Sequence, residues 1–238
     1  MEEFSRSALL LGEAAVERLA RAHVAVFGVG GVGAAAVEAL ARGGVGRLTL
    51  VDDDTVSISN INRQFAALHS TLGMPKAEVM RRRCLDINPS IEVAALQVFY
   101  QAETADQFDF SAYDYVVDAI DTVSAKLLLI ESAHRAGTPI ISALGAGNKM
   151  DPTRFQAADI YETSVCPLAR VLRSQLRKRG IAAHRVVYST ETPMETRVVI
   201  EEKGRHLPGS LSFVPPVMGM ILAGEVIKGL IGMTEKSR

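Results

Sequence analysis

Residues 28–33 read GVGGVG, and they constrain the fold more than any other stretch of the chain. They follow a short apolar run, HVAVF at 23–27, and lead into VGAAAVEALARG at 32–43, where small residues give way to helix formers. A buried strand, a tight glycine turn and an opening helix form the start of a parallel β-α-β unit. RLTLV at 47–51 supplies its second strand, which closes the unit within about 30 residues. Gly28, Gly30 and Gly33 fit GxGxxG, with Gly31 as a further glycine inside it. Such glycines allow a sharp turn and let phosphate oxygens approach backbone N–H groups at the positive end of a helix. Asp52 ends the second strand 19 residues after Gly33, placed to accept hydrogen bonds from a ribose. The pattern reads as a nucleotide site and leaves NAD, FAD and ATP open.

Further elements alternate in the same way. Residues 5–21 carry an amphipathic helix pattern. A helix is expected around 76–85, strands at 92–97 and 115–119, a helix over 124–136 and a strand at 139–142. Alternation of this kind predicts an α/β fold with a doubly wound, mainly parallel sheet. The expected organisation is one domain over 1–238: a nucleotide-binding core at 5–147, a polar, irregular lobe on the substrate side at 148–213, and an apolar C-terminal helix at 214–233 packing on the core. With 48% hydrophobic and 22% charged residues the composition is that of a globular protein. The net charge of -1 excludes a histone-like coat for nucleic acid, so a polyanion has to be met by a local patch.

Cys84 and Cys166 form neither a disulfide framework nor a CxxC pair, which suits a reducing, cytoplasmic compartment. Glu2 and Glu3 stand where an export signal needs positive charge. The uncharged stretch 207–224 contains Pro215 and Pro216 and is followed by Glu225 and Lys228. It is expected to be a buried core helix, not a membrane insertion.

The residues after Asp52 narrow the nucleotide. VDDDTVSISNINRQ at 51–64 adds Asp54, Asn60, Arg63 and Gln64 behind the ribose position, which a dehydrogenase does not need. Arg63 carries a planar fork suited to phosphate oxygens, and Lys76 comes after Gly73 and Pro75 at a helix start. Asp121 stands two residues beyond the strand YVVDA, at the edge where open α/β sheets bind ligands. A carboxylate beside phosphate-binding cations suits a Mg²⁺ ligand. Together these point to a triphosphate and metal.

In this order, GxGGxG, VDxDxVxxSNxxRQ, GxPK and DxxD resemble the adenylating superfamily of ThiF, MoeB, HesA and the ubiquitin-activating enzymes. The resemblance covers about residues 5–147 and the apolar C-terminal helix. It implies that Asp52 holds the ATP ribose, with Asp54 and Gln64 inside the same nucleotide-contacting motif. It further implies that Asn60, Arg63 and Lys76 contact phosphates and that Asp121 supports Mg²⁺ and the transferring group. Arg6 stands where an arginine reaches the ATP of the partner subunit, which implies a homodimer. Such enzymes join AMP to a carboxylate and release pyrophosphate.

Two departures bear on which carboxylate is activated. The paired CxxC motifs of a structural zinc site are absent, since the chain has two cysteines in all. Cys166, in SVCPLAR, is the only candidate for a thioester-forming nucleophile. The stretch 163–190 holds six Arg or Lys and no acid. Within it Arg170, Arg173 and Arg177 share one helical face opposite Leu168, Leu172 and Leu176, and Lys178 and Arg179 extend the charge. This is a candidate phosphate-backbone footprint. The segments LLLGEAAVERLARAHVAVFGVGGVG, SAYDYVVDAIDTVSAK, SALGAGNKMDPTRF and PLARVLRSQLRKRGI are similar to one subgroup of the superfamily, the tRNA threonylcarbamoyladenosine dehydratases. That resemblance implies ATP-dependent ring closure on a modified adenosine beside the anticodon, with the nucleophile on the substrate. It makes Lys149 a further candidate for the substrate side and links the subgroup to cysteine desulfurase systems. Two other readings stand beside it: an adenylating activator of a ubiquitin-like sulfur-carrier protein, and an NAD-binding oxidoreductase or nucleotide-sensing module.

Overall fold

The computed structural model describes residues 2–198, 200–202 and 205–233. The outermost residues of the 1–238 domain, and Val199, Lys203 and Gly204 within the 148–213 lobe, lie outside the described residues.

Strands covered on both faces read as apolar runs without a polar face, and they lie in the middle of a layered sheet. The observed strands are β1 (His23–Phe27), β2 (Arg47–Val51), β3 (Glu92–Leu96), β4 (Tyr115–Asp118), β5 (Ile140–Ala143), β6 (Phe155–Asp159) and β7 (Arg185–Ser189). They form one sheet in the order β3-β2-β1-β4-β5-β7-β6. Every pairing is parallel except β6 with β7. The chain starts at β1 and runs outward both ways, so β1 and β4 sit side by side at the point where the strand order reverses. Loops leaving the carboxyl ends of these two strands frame the crevice in which open α/β sheets bind ligands.

Alternate residues of each strand face opposite layers. Val24, Val26, Leu48, Leu50 and Val117 join the core under α3 (Gly33–Arg42), α4 (Lys76–Ile87) and α7 (Pro215–Leu230). Ala25, Phe27, Val51 and Val116 join the core under α5 (Val123–Ala136) and α6 (Pro167–Lys178). The stretch beyond 147, polar and irregular as a sequence, supplies β6 and β7 to this same sheet and α6 to the layer covering it, before a short hairpin, β8 (Glu201–Glu202) with β9 (Arg205–His206).

The single helix expected over 5–21 is in fact two, α1 (Ser5–Leu11) and α2 (Glu13–Arg21). Gly12 separates them at φ 82°, where its N–H caps the carbonyl of Ala8. The apolar spacing of the sequence runs through the break and conceals it. α1 leaves Leu9 and Leu10 84% and 86% exposed. α7 begins on Pro215 and Pro216, where the missing N–H groups cost nothing, and buries Met218, Leu222, Ala223 and Val226. No helix among the described residues is long and apolar enough to cross a membrane.

Candidate nucleotide-binding site

The loop between β1 and α3 is shaped by two of its glycines for the chain's own sake. A Cβ on Gly28, at φ 86°, would lie 2.6 Å from the Ala119 carbonyl oxygen, and one on Gly33 would lie 1.8 Å from that of Gly28. Gly30 differs: the nearest atom to a Cβ there is Gln64 Nε2, 3.8 Å away. Packing leaves that space open, which is what an approaching phosphate needs. The amides of Gly30, Gly31 and Val32 donate to no group among the described residues. Unsatisfied N–H groups at a helix start form an anion site.

The candidates from β2 onward gather around this loop. Asp52 Oδ2 accepts the Val29 amide at 2.6 Å and Oδ1 accepts the Asp54 amide at 3.0 Å. Burial pushes the Asp52 carboxyl above the usual range, opposed by the Val29 amide and the charge of Lys76. Lys76, 5% exposed at the start of α4, pairs its Nζ with Asp54 Oδ2 at 2.6 Å. That carboxylate is itself well exposed, so an entering phosphate can compete for the ammonium. Arg63 lays its Cγ 3.5 Å from where a Gly31 Cβ would be and donates from its guanidinium to Ser59 O and Asn62 Oδ1, both at 2.9 Å. Asn60 is turned inward: its Oδ1 accepts the Ser57 amide at 3.0 Å and holds the turn that presents Arg63. Gln64 is buried beside Gly30, and its Oε1 has no partner among the described residues. Since the two ends of an amide are assigned from their surroundings, this end can accept from, or after a flip donate to, a ligand on the loop. An orphaned buried amide against an open glycine fits a phosphate-bearing nucleotide.

Asp121 lies in the turn between β4 and α5, exposed, and among the described residues its carboxylate accepts only the Thr122 hydroxyl, on Oδ1 at 3.3 Å. This turn rests on the glycine loop through Ala119 against Gly28. Among the described residues no three metal-ligating side chains cluster. One accessible carboxylate beside a phosphate loop nevertheless fits Mg²⁺, which takes one or two carboxylates together with substrate phosphates.

Other candidates lie elsewhere. Arg6 is exposed on α1, two residues from Phe4, whose ring covers Gly44 beyond the C-terminal end of α3. That is the end of the helix remote from the glycine loop, so Arg6 is not brought to the nucleotide cleft of its own chain. On α6, Leu172 and Leu176 are fully buried, and Arg170, Arg177 and Lys178 are exposed, as is Arg179 just past its end. Arg173, expected on the same outer face, is half-buried, donating to the Thr163 carbonyl at 2.6 Å and to its hydroxyl. Arg177 covers the Tyr161 ring at 5.4 Å, and Arg179 pairs with Glu131 at 2.5 Å. Lys149 is buried with its Nζ on the Glu191 carbonyl, and burial lowers its pKa. Cys166 is 6% exposed, and Cys84 is fully buried with its thiol pushed up to about 12.

Sequence reasoning missed a polar cluster beneath the Asp121 turn. Asp118 and Lys126 are fully buried and paired at 2.8 Å, and Ser142 and His184 complete the group. A lone acid in YVVDA and a lone lysine in VSAKLLLI, both inside apolar runs, were the available signal. Burial, then the charges of His134 and Lys126, push His184 down to about 3. It is therefore neutral in the folded chain over a range where an unfolded histidine takes up a proton. Stability is at its fullest above pH 6.5 and falls on acidification toward pH 3, because the unfolded state binds the extra proton. Relative to His184→Gln, the wild type is expected to lose about 2–3 kcal/mol between about pH 7 and 4.5. Denaturant melts of both proteins at the two pH values measure this, and equal pH slopes would refute it.

The chain is 45% identical over 249 aligned residues to the tRNA threonylcarbamoyladenosine dehydratase of Bacillus subtilis, covering 100% of this chain and 98% of that one. It superposes on the Escherichia coli enzyme TcdA, tRNA N6-threonylcarbamoyladenosine dehydratase, solved in complex with ATP. The TM-score is 0.88 at 35% identity, covering 100% of this chain and 97% of the other. The AMP complex of the same enzyme matches with a TM-score of 0.88 over 97% and 94%. The ThiF family model matches residues 4–238, from the exposed N-terminal helix through the glycine loop to the end of the chain, and the chain belongs to the ThiF family.

Proposed function

We propose that the protein dehydrates N6-threonylcarbamoyladenosine in tRNA, using ATP. AMP is joined to the threonyl carboxylate as pyrophosphate leaves. The neighbouring carbamoyl group then attacks the activated carbonyl, expels AMP and closes a ring with the net loss of one water. The observation that carries this reading is the likeness, along the whole chain, to a dehydratase solved with ATP. Burial of both cysteines supports a nucleophile on the substrate in preference to a protein thioester, and so speaks against activation of a sulfur-carrier protein.

The chain's own work is positioning and charge neutralisation. Free loop amides, Arg63 and Lys76 would cradle the phosphates, and Asp52 would exchange its bond to Val29 for ribose hydroxyls. Asp121 would hold Mg²⁺, which when bound offsets charge on the phosphates. The exposed Arg6, with Leu9 and Leu10 beside it, supports a homodimer in which α1 serves the partner's cleft. A tRNA substrate implies a cytoplasmic protein. No sulfur-transfer step from a cysteine desulfurase enters this reading.

The test is mass spectrometry of nucleosides from tRNA carrying threonylcarbamoyladenosine, incubated with protein, ATP and Mg²⁺. A product lighter by one water and absent without ATP is expected. An unchanged nucleoside with well-folded protein would overturn the reading.

Arg170, Arg177 and Lys178 are the exposed cations of α6, whereas Arg173 and Arg179 are held by Thr163 and Glu131, and Arg170 with Arg177 share one helical face. Replacing both by glutamine is expected to weaken tRNA binding and to flatten the slope of log K against log salt by about 0.7–0.9 for each phosphate no longer neutralised. Unchanged binding across a salt series would return α6 to an ordinary surface helix.

A further inference from the structure

Two elements besides its own strand and turn, α5 and β5, reach one buried carboxylate, and the residue ahead of β7 backs them through Ser142. Asp118, at the end of β4 and fully buried, accepts the Ile120 amide on Oδ1 at 3.1 Å. Its Oδ2 accepts Lys126 Nζ from α5 at 2.8 Å and Ser142 Oγ from β5 at 2.6 Å. Lys126 Nζ also donates to the Ala143 carbonyl at 3.0 Å. Counting protons gives the direction of the rest. Ser142 has a single hydroxyl hydrogen and gives it to Asp118, so at 2.8 Å His184 Nε2 must supply the hydrogen to Ser142. Nδ1 of that ring is then a bare acceptor, without a partner among the described residues. The bonds run one way, from the residue ahead of β7 through β5 to the end of β4.

A buried ion pair of this kind is a poor source of stability, because desolvation offsets most of the attraction and an apolar pair of similar volume often does as well. What the cluster achieves locally is control of the turn 118–121. One side of that turn, the Ala119 carbonyl, lies against Gly28 of the phosphate loop. The other end carries Asp121. The grip on the Ile120 amide joins them, and it needs an acceptor held in one orientation.

We propose that Asp118 is a positioning residue for the reaction: clamped by Lys126, Ser142 and His184, its carboxylate holds the Ile120 amide and so sets the turn that seats the glycine loop and presents Asp121. This rests on the reading of Asp121 as part of the nucleotide site.

Two charge-neutral double variants separate the grip from the ion pair. Asp118→Asn with Lys126→Met keeps an oxygen for the Ile120 amide, whereas Asp118→Leu with Lys126→Met removes it. Amide exchange over 119–122 is expected to be intermediate in the first, which keeps the acceptor and loses the lysine side of the clamp, and to speed up at least about tenfold in the second. AMP formation should fall less than about tenfold in the first and at least about thirtyfold in the second, while ATP affinity shifts less than about threefold, since displacements of about 1 Å cost rate on this scale. Equal exchange and turnover in the two variants would overturn the proposal. Ser142→Ala, which removes one clamp bond and leaves both charges, guards against a failure to fold. It should show intermediate exchange and a lower kcat at unchanged ATP KM, and wild-type values for it would also overturn the proposal. If the wild type itself formed no AMP with modified tRNA, the functional reading would fall, and the exchange data would still decide the role of Asp118 in the turn.

Discussion

Replacing Asp121 by alanine is expected to lower pyrophosphate release by a factor of about 10²–10³, the range seen when a single charge-stabilising group is removed from a transition state. Folding should be untouched. The side chain is exposed, and among the described residues its one hydrogen bond is a 3.3 Å contact with its neighbour Thr122. Surface changes of this kind stay within about 0.5 kcal/mol. Asp118, three residues earlier, offers the contrast. The same substitution there strands Lys126 in the core, and breaking a buried pair from one side costs about 3–5 kcal/mol. Two aspartates of one DxxD motif should therefore fail differently: Asp121→Ala with normal melting and little turnover, Asp118→Ala with poor folding. Thermal melts and a pyrophosphate assay on both variants make the comparison. Normal turnover in Asp121→Ala would remove that residue from the chemistry.

The same motif shows how far a sequence can be read. Strand, glycine turn and helix over 23–43 were legible because each decision there is local: apolar residues for a strand between two layers, glycines where a Cβ would strike the chain, helix formers after them. Asp52 and Lys76 were legible for a related reason, since each sits at the end of an element whose period is plain. Partners brought in from afar were not. Helical spacing places Arg173 beside Arg170 and Arg177, yet nothing in that spacing says that the Thr163 carbonyl waits within reach of its guanidinium. The strands β6 and β7 were hidden for the same cause. FQAAD carries little apolar signal and RVVYS is short, and both become strands by pairing with each other and with β5. Gly12 was overlooked because an amphipathic pattern can continue across a break in the helix that carries it. Gln64, whose motif neighbours drew attention to charge, owes its interest to burial without a partner, a property that only packing reveals.

The glycine loop permits the sharpest separation of fold from function. Gly33→Ala should cost about 3 kcal/mol or more, because its Cβ would lie 1.8 Å from the Gly28 carbonyl oxygen and overlaps in a tightly packed interior are relieved only by shifting backbone. Gly30→Ala meets no such obstacle. Its nearest neighbour at 3.8 Å is an ordinary van der Waals contact, so the melting temperature should hardly move. ATP affinity is nevertheless expected to fall at least about tenfold, or about 1.4 kcal/mol, because the added methyl takes the space between the free amides and the side chain of Gln64 in which a phosphate would lie. Calorimetric titration of ATP into the two variants, alongside melts, reads both effects. The inverse pattern, with Gly30→Ala binding ATP like the wild type, would mean that the opening over Gly30 is not where the nucleotide's phosphates sit, and the cradle assigned to the loop amides, Arg63 and Lys76 would fall with it.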